Sequence, residues 1–319
     1  MAEGNRKIKI ERYTALIDRA IRNIQVKIVG KRRELELILA TLFAEGHVLL
    51  EGVPGVAKTL IAKCIATTLG LEFKRIQATP DMLPSDIIGV QIFDPREAKF
   101  IFRRGPIFTN ILFVDEINRA PPKTQSALLE AMQERQVTVE GTTYKLPQPF
   151  LVIATMNPIE IEGTFPLSEA QIDRFLSKIT IGYPTIEETV EVLGKLHEIT
   201  QLDDLKPVLN RDDVAMLIDI TKQVYVDENI RKYIAAIVEA TRTHHMVKLG
   251  ASPRGAIALY MLSKSIALMR GRDYVTPDDI KYVAHAALTH RIIVKSEAKI
   301  SRIQPQDIID DIMEKVDIP

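Results

Sequence analysis

The chain alternates short apolar runs with helix-spaced apolar positions, and that alternation changes character past residue 184. Tyr13, Leu16, Ile17, Ala20, Ile21 and Ile24 recur at helical spacing, as do Leu35, Ile38, Leu39, Leu42 and Phe43 before Gly46, so two helices precede the first strand. Four runs then read as buried parallel strands: HVLL from His47, FKRIQ from Phe73, ILFVD from Ile111 and FLVIAT from Phe150, with KITI from Lys178 expected as a fifth. Helical patterns separate these runs, which predicts an α/β fold with a doubly wound parallel sheet. Two stretches break the alternation. VQIFDPREAKFIF, residues 90–102, turns at Asp94-Pro95, and QVTVEGTTYKL, residues 136–146, turns at Glu140-Gly141; both predict inserted β-hairpins. Such inserts serve either as surface decoration or as projections toward a substrate or a ring pore.

Beyond Pro184 the strand pattern stops and the remainder reads as helix. Thr276-Pro277-Asp278-Asp279 is a helix start, with Thr as N-cap, Pro at the first helical position and acids in the first turn. The expected organisation is an α/β domain over residues 1–184 and an all-α domain over residues 185–319. A length of 319 residues suits one medium domain plus a smaller one.

Composition narrows the function classes. Apolar residues make up 46% and charged residues 26%, with no Trp, the profile of a soluble, well-packed chain. Lys plus Arg equals Asp plus Glu, 42 against 42, so no excess positive charge drives general binding to a phosphate backbone, and nucleic acid is not an expected partner. The single cysteine, Cys64, cannot form an internal disulfide, and six histidines, scattered apart from His244 and His245, lack metal-ligand spacing. A reducing compartment and no structural zinc are expected. The opening MAEGNRKIKIERY has no apolar signal core, and no stretch nears the roughly 18 apolar residues of a membrane span, so a cytoplasmic location without membrane insertion is the expectation.

Candidate chemistry sits in GVPGVAKT, residues 52–59, between a strand and a helix. A glycine-bearing turn lets backbone N–H groups approach phosphates, and the helix N-terminus adds partial positive charge. Gly52, Val53, Pro54, Gly55, Val56, Ala57, Lys58, Thr59 and Leu60 form the candidate nucleotide cradle. Lys58 would reach the β- and γ-phosphates and Thr59 would ligate Mg²⁺. Ala57 stands where the general pattern has glycine, and it is expected at negative φ. ILFVDEINRA, residues 111–120, delivers two acids at a strand's carboxyl end, where open α/β sheets bind ligands. Asp115 would hold Mg²⁺ through water, and Glu116 would orient and polarise the attacking water.

Residues 52–59 (GVPGVAKT), 114–120 (VDEINRA), 154–158 (ATMNP) and 170–175 (AQIDRF) together resemble the MoxR family of AAA+ ATPases, and the alanine before Lys58 is typical of that family. The resemblance runs from Val29 into the helical region and implies a P-loop AAA+ domain with a helical lid. It assigns Asn157 as sensor 1, positioning the lytic water; Arg174 as the arginine finger reaching a neighbouring subunit's γ-phosphate; and Arg254 as sensor 2. A planar fork of donors suits the charge spread over the γ-oxygens. Val29 and Gly30 sit where AAA+ proteins place the backbone that contacts adenine, and read equally as a helix boundary. Arg119 can act between subunits or cap its own helix, and stays outside the catalytic set. The two hairpins resemble the helix-2 and pre-sensor-1 inserts of the clade holding MoxR proteins, magnesium chelatase motors and minichromosome-maintenance helicases. Their aromatics Phe93, Phe100 and Phe102 suit a packed hairpin better than a base-stacking row.

The resemblance implies an ATP-hydrolysing homo-oligomer, expected as a hexamer, with ATP/ADP and Mg²⁺ between subunits. It implies chaperone-like remodelling or maturation of a protein client, often metal insertion, with a von Willebrand A domain partner. The competing readings are the motor subunit of a metal chelatase and a nucleotide-gated binding scaffold.

Overall fold

The structure, a computed structural model, describes residues 2–96, 98–157, 163–201 and 204–319. Helix α1 (Ala2–Gln25) and α2 (Arg32–Phe43) lead into strand β1 (Val48–Glu51), followed by α3 (Lys58–Thr68), β2 (Phe73–Gln77) and α4 (Pro84–Ile88). A hairpin of β3 (Gly89–Asp94) and β4 (Lys99–Arg104) precedes β5 (Ile111–Asp115) and α5 (Pro122–Glu134). A second hairpin, β6 (Gln136–Val139) and β7 (Thr142–Lys145), precedes β8 (Leu151–Met156), α6 (Glu169–Ile172) and β9 (Ser177–Thr180).

Five strands form one parallel sheet in the order β2-β5-β8-β1-β9. Both of its faces are covered, so the central strands bury successive residues on opposite sides. Ile111, Phe113, Leu151 and Ile153 pack with α1, α2 and α3, including Phe43, Ile61 and Ile65. Leu112, Val114, Val152 and Ala154 pack on the other side with Leu128 and Met132 of α5 and with Phe175. The expected doubly wound α/β sheet with two inserted hairpins is the architecture found. One detail differs: FKRIQ reads as a buried strand, but β2 is the sheet's edge, and only Ile76 in it is buried. An edge strand has one neighbour, so Arg75 and Gln77 remain open to solvent.

Past β9 the chain forms α7 (Ile186–Gly194), α8 (Leu196–Thr200), α9 (Arg211–Gln223) and α10 (Glu228–Thr243), then β10 (Val247–Leu249), α11 (Pro253–Met269), α12 (Pro277–Leu288), β11 (Ile293–Val294), α13 (Ser296–Ile300) and α14 (Pro305–Lys315). The predicted start at Thr276 opens α12, with Pro277 in its first turn. The all-helical expectation missed one antiparallel pair, Val247 with Val294 and Leu249 with Ile293. Strands this short show no readable alternation, and more than 40 residues separate the partners (294 − 247 = 47). The apolar faces of α9–α12 join α1 and α2 in one continuous core. Among the described residues no helix is long and apolar enough to cross a membrane.

Candidate nucleotide site

β1 lies between β8 and β9, and its carboxyl end delivers the 52–57 turn directly to α3. Gly52 is buried, and a Cβ there would meet the Ile181 carbonyl oxygen at 2.7 Å. Gly55 adopts φ +84° with open space around it, a conformation that favours glycine. Ala57 departs from the expected negative φ: it stands at φ 63°, ψ 23°, as the residue preceding α3. A left-handed L-residue costs about 1–2 kcal/mol, so this turn holds strain where the nucleotide cradle is expected. No side chain caps α3 and no acid occupies its first turn, an arrangement that suits its leading N–H groups to an anion. Lys58 Nζ donates to the Gly52 carbonyl at 2.5 Å, so the ammonium lies against the turn's own backbone. Thr59 and Leu60 follow it, both half-buried.

The acids at the end of β5 are held from both neighbouring strands. Asp115 Oδ2 pairs with Arg75 Nη2 at 2.7 Å, and its Oδ1 accepts from Thr155 Oγ1 at 2.8 Å. Thr155, fully buried, also accepts the Glu116 N–H at 2.8 Å. Glu116 itself is left-handed, φ 55° and ψ 54°, which aims its side chain away from the strand direction. Its Oε2 accepts from Arg119 Nη1 at 3.1 Å and from Gln77 Nε2 at 3.2 Å. Arg75 in turn donates to Gln77 Oε1 at 2.8 Å, closing a polar net across β2 and β5. Register explains this convergence: Gln77 is paired with Asp115, Arg75 lies two residues earlier on the same face of β2, and β8 flanks β5 on its other side. Asn157 follows β8 and is buried, so it ends beside Thr155; Pro158 of the same motif lies outside the described residues.

The set Lys58, Thr59, Asp115, Glu116 and Asn157 therefore gathers at one end of the sheet. Uncapped amides with glycine at 52 and 55 fit phosphate oxygens, and the hydroxyl–carboxylate pair of Thr59 and Asp115 fits a hard cation such as Mg²⁺. Among the described residues there is no group of three or more His, Cys, Asp or Glu side chains arranged for a metal ion.

Arg174 and Arg254 are elsewhere. Arg174 precedes β9 by three residues, where Ser177 pairs with Val48 at the start of β1, whereas Lys58 lies past the opposite end of β1. The four residues of β1 alone span about 13 Å at ~3.3 Å per residue. Arg254 lies in the first turn of α11, and a buried polar knot ties that turn to the Arg174 segment. Ser252 Oγ accepts the Arg254 N–H at 3.1 Å and donates to Asp173 Oδ2 at 2.9 Å. Arg291 Nε pairs with Asp173 Oδ1 at 2.7 Å, and its Nη2 donates to the Phe175 carbonyl at 2.7 Å. Burial holds the Arg291 guanidinium below its ordinary pKa against the support of Asp173, and the nearby charge of Arg254 adds to the depression. Arg254 is exposed and Arg174 half-buried, and neither guanidinium has an ion-pair partner among the described residues.

Val29 and Gly30 lie between α1 and α2, beside α7. Gly30 has φ +65°, the left-handed conformation that favours glycine, and the Glu188 carboxylate of α7 lies directly against it. Lys31 holds the same helix, with Nζ 3.5 Å from Glu188 Oε2 and donating to the Tyr183 carbonyl at 3.3 Å.

Sequence reasoning missed Arg75, Gln77 and Thr155, and left Arg119 outside the site. The available signal was spacing: two polar residues two apart in FKRIQ, and a threonine two residues before the asparagine in FLVIATMN. The hairpins also meet. Phe102 of β4 stacks on Tyr144 of β7 at 4.3 Å between ring centroids, while Phe93 and Phe100 pair edge-on at 5.4 Å and remain exposed. Glu97, within the first insert, lies outside the described residues.

The family described as "ATPase family associated with various cellular activities (AAA)" matches residues 47–177, and the AAA lid domain family matches residues 239–312. The chain is 49% identical over 304 residues to the uncharacterized protein YeaC of Bacillus subtilis, covering 95% of each. It is 43% identical over 312 residues to the chaperone MoxR1 of Mycobacterium tuberculosis, covering 95% of this chain and 82% of that one. The crystal structure of a candidate ATPase from Cytophaga hutchinsonii superposes with TM-score 0.93 at 41% identity, covering 100% of this chain and 99% of that one.

Proposed function

The chain belongs to the MoxR family of AAA+ ATPases and is an ATP-hydrolysing enzyme, and from that premise we propose a ring, expected as a hexamer, in which each ATP is hydrolysed between two copies. The observation that carries this reading is the separation of the site into two halves: Lys58, Asp115, Glu116 and Asn157 at one end of β1, Arg174 and Arg254 tied together toward the other. A guanidinium so far from its own P-loop serves a neighbour's phosphate better than its own.

In this reading the 52–59 backbone takes the phosphates, and Lys58 exchanges the Gly52 carbonyl for a phosphate oxygen. Thr59 and Asp115 would hold Mg²⁺, which when bound neutralises charge on the phosphate oxygens. Glu116, released from Arg119 and Gln77, accepts a proton from the attacking water while Asn157 orients that water. Arg174 and Arg254 of the adjoining copy meet the charge that develops on the γ-phosphoryl group. Val29 and Gly30 contact adenine through backbone.

We further propose that turnover drives chaperone-like remodelling or maturation of a protein client, supported by the relative named chaperone MoxR1. Metal loading of the client and a von Willebrand A domain partner are the specific form we favour. We also propose a division at 184/185 between a nucleotide-binding domain and a helical lid, supported by the end of the main sheet at Thr180. Glu116→Gln tests the chemistry. Phosphate release should fall by about 10²-fold or more, the scale of a lost general base, while binding of a fluorescent ATP analogue persists. An unchanged rate removes Glu116 from the mechanism.

A further inference from the structure

Lys264, in the second half of α11, is a buried cation without a countercharge. It is 8% exposed, yet no carboxylate pairs with it among the described residues. Its Nζ donates to the Lys222 carbonyl at 2.6 Å and stands 5.2 Å from the centre of the Tyr260 ring, one turn earlier on the same helix. Lys222 belongs to the last turn of α9, where open carbonyls favour a cation. That contact uses one of the three N–H donors of an ammonium, and the other two have no partner among the described residues. Burial holds the amine below its ordinary pKa, the mark of a charge kept out of water without compensation.

Lys264 lines an open cleft of about 760 Å³ in the helical region. Two connections form its walls, residues 224–226 between α9 and α10 and residues 273–275 between α11 and α12. They are joined where the Tyr225 N–H donates to the Asp273 carbonyl at 2.7 Å and the Val275 N–H to the Tyr225 carbonyl at 3.0 Å. That pairing sets Tyr225 beside Tyr274, and the two are 59% and 51% exposed. Tyr260 lines the same cleft, so aromatic rings surround one charged anchor. The remaining charges favour an anion. Lys222 gives its ammonium to Glu45 at 2.6 Å, and Asp227 accepts from the Asn229 N–H at 2.9 Å and the Tyr225 hydroxyl at 3.3 Å. Arg231 lines the cleft without an ion-pair partner among the described residues, and Asp273 is the other acid there.

We propose that this cleft binds an acidic segment of a partner protein, with an Asp or Glu carboxylate on Lys264 and the flanking apolar side chains on the rings of Tyr225 and Tyr274. A carboxylate suits the anchor better than a phosphate. One ammonium with two unspent donors balances a single negative charge, whereas a phosphate monoester carries nearly two and is met by arginine clusters. A protein segment suits the shape better than a small free anion. Small ligands are ordinarily buried over most of their surface, but this cleft is open and its exposed tyrosines are of the type that protein interfaces cover. The site stands apart from the hydrolysis reading, since none of the nucleotide-site residues lines it.

Calorimetry on the full chain with a blocked peptide tests this. Acetyl-Gly-Phe-Glu-Phe-Gly-amide carries one carboxylate between two rings and no terminal charge, and it should bind at one site per chain. Replacing its Glu by Gln should weaken binding about tenfold or more, the scale of a hydrogen bond to a charged group. Lys264→Gln should cause the same loss for the Glu peptide, because the new amide still donates to the Lys222 carbonyl but brings no charge, and ATP turnover should stay near wild type. Tyr225→Ser/Tyr274→Ser, altered only at exposed positions, should weaken the Glu peptide about tenfold through the lost ring contacts, and it carries the test if Lys264→Gln fails to fold. No measurable binding to wild type, or unchanged affinity in a folded variant of either kind, overturns the proposal. Benzoate that binds as tightly as the peptide overturns it too, since the cleft would then serve small carboxylates.

Discussion

The two ends of the parallel sheet treat their charges in opposite ways. At the carboxyl end of β1, β5 and β8, charge is met internally: Lys58 rests on the Gly52 carbonyl, Asp115 on Arg75 and Thr155, Glu116 on Arg119 and Gln77. At the other end Arg174 and Arg254 have no ionic partner among the described residues, yet the backbone that carries them is pinned by Asp173, Ser252 and Arg291. One end must exchange partners to take up nucleotide. On the proposed reading the other is preorganised for a charge brought from outside, which is the form electrostatic stabilisation takes when reorganisation during reaction is to be small.

The largest expected effect comes from removing one waiting charge. Arg174→Ala should lower ATP turnover by about 10³- to 10⁵-fold, the range for an arginine finger in related phosphoryl transfer, with nucleotide affinity near wild type by calorimetry. A matching loss of affinity would mean that Arg174 serves its own P-loop, and the contrast between the ends would collapse.

Breaking the knot should cost stability at the same end. Arg291→Met leaves the Asp173 carboxylate without its buried partner, and removing one member of such a pair costs about 3–5 kcal/mol. Urea unfolding should show this loss, with turnover falling at denaturant-free conditions because both arginines lose their support. Full stability would show that Ser252 alone holds the segment.

A smaller effect is expected at the paired end. Arg75 is about half exposed, so its bond to Asp115 is worth about 1 kcal/mol. Arg75→Ala should free the carboxylate and lower the magnesium concentration for half-maximal turnover by about fivefold, as 1 kcal/mol implies. A higher requirement would instead make Arg75 a support of the bound state rather than a competitor.

Much of this was legible in the chain. The apolar runs at 47–50, 111–115 and 150–155 alternate with helical patterns, and a parallel sheet buried on both faces leaves little else for such runs to do. Lys58, Asp115 and Glu116 could be named because phosphate chemistry ties residue type to strand ends. Arg75, Gln77 and Thr155 were not, since their roles depend on which strands become neighbours, and strand order leaves no mark on local pattern. The left-handed Ala57 escaped for a related reason: its strain is stabilised by the surrounding turn, whereas propensity judges the residue alone. The short β10–β11 pair depends on residues too distant in sequence for periodicity to join them.

The central claim is that one copy's Arg174 completes another's site, and mixing two inactive variants tests it most directly. Arg174→Ala keeps an intact P-loop, and Lys58→Ala keeps an intact arginine. With subunit exchange verified by fluorescent labels, the mixture should regain part of the turnover that each variant lacks, through interfaces pairing one good P-loop with one good arginine. Exchange without any recovery would contradict a site shared between copies.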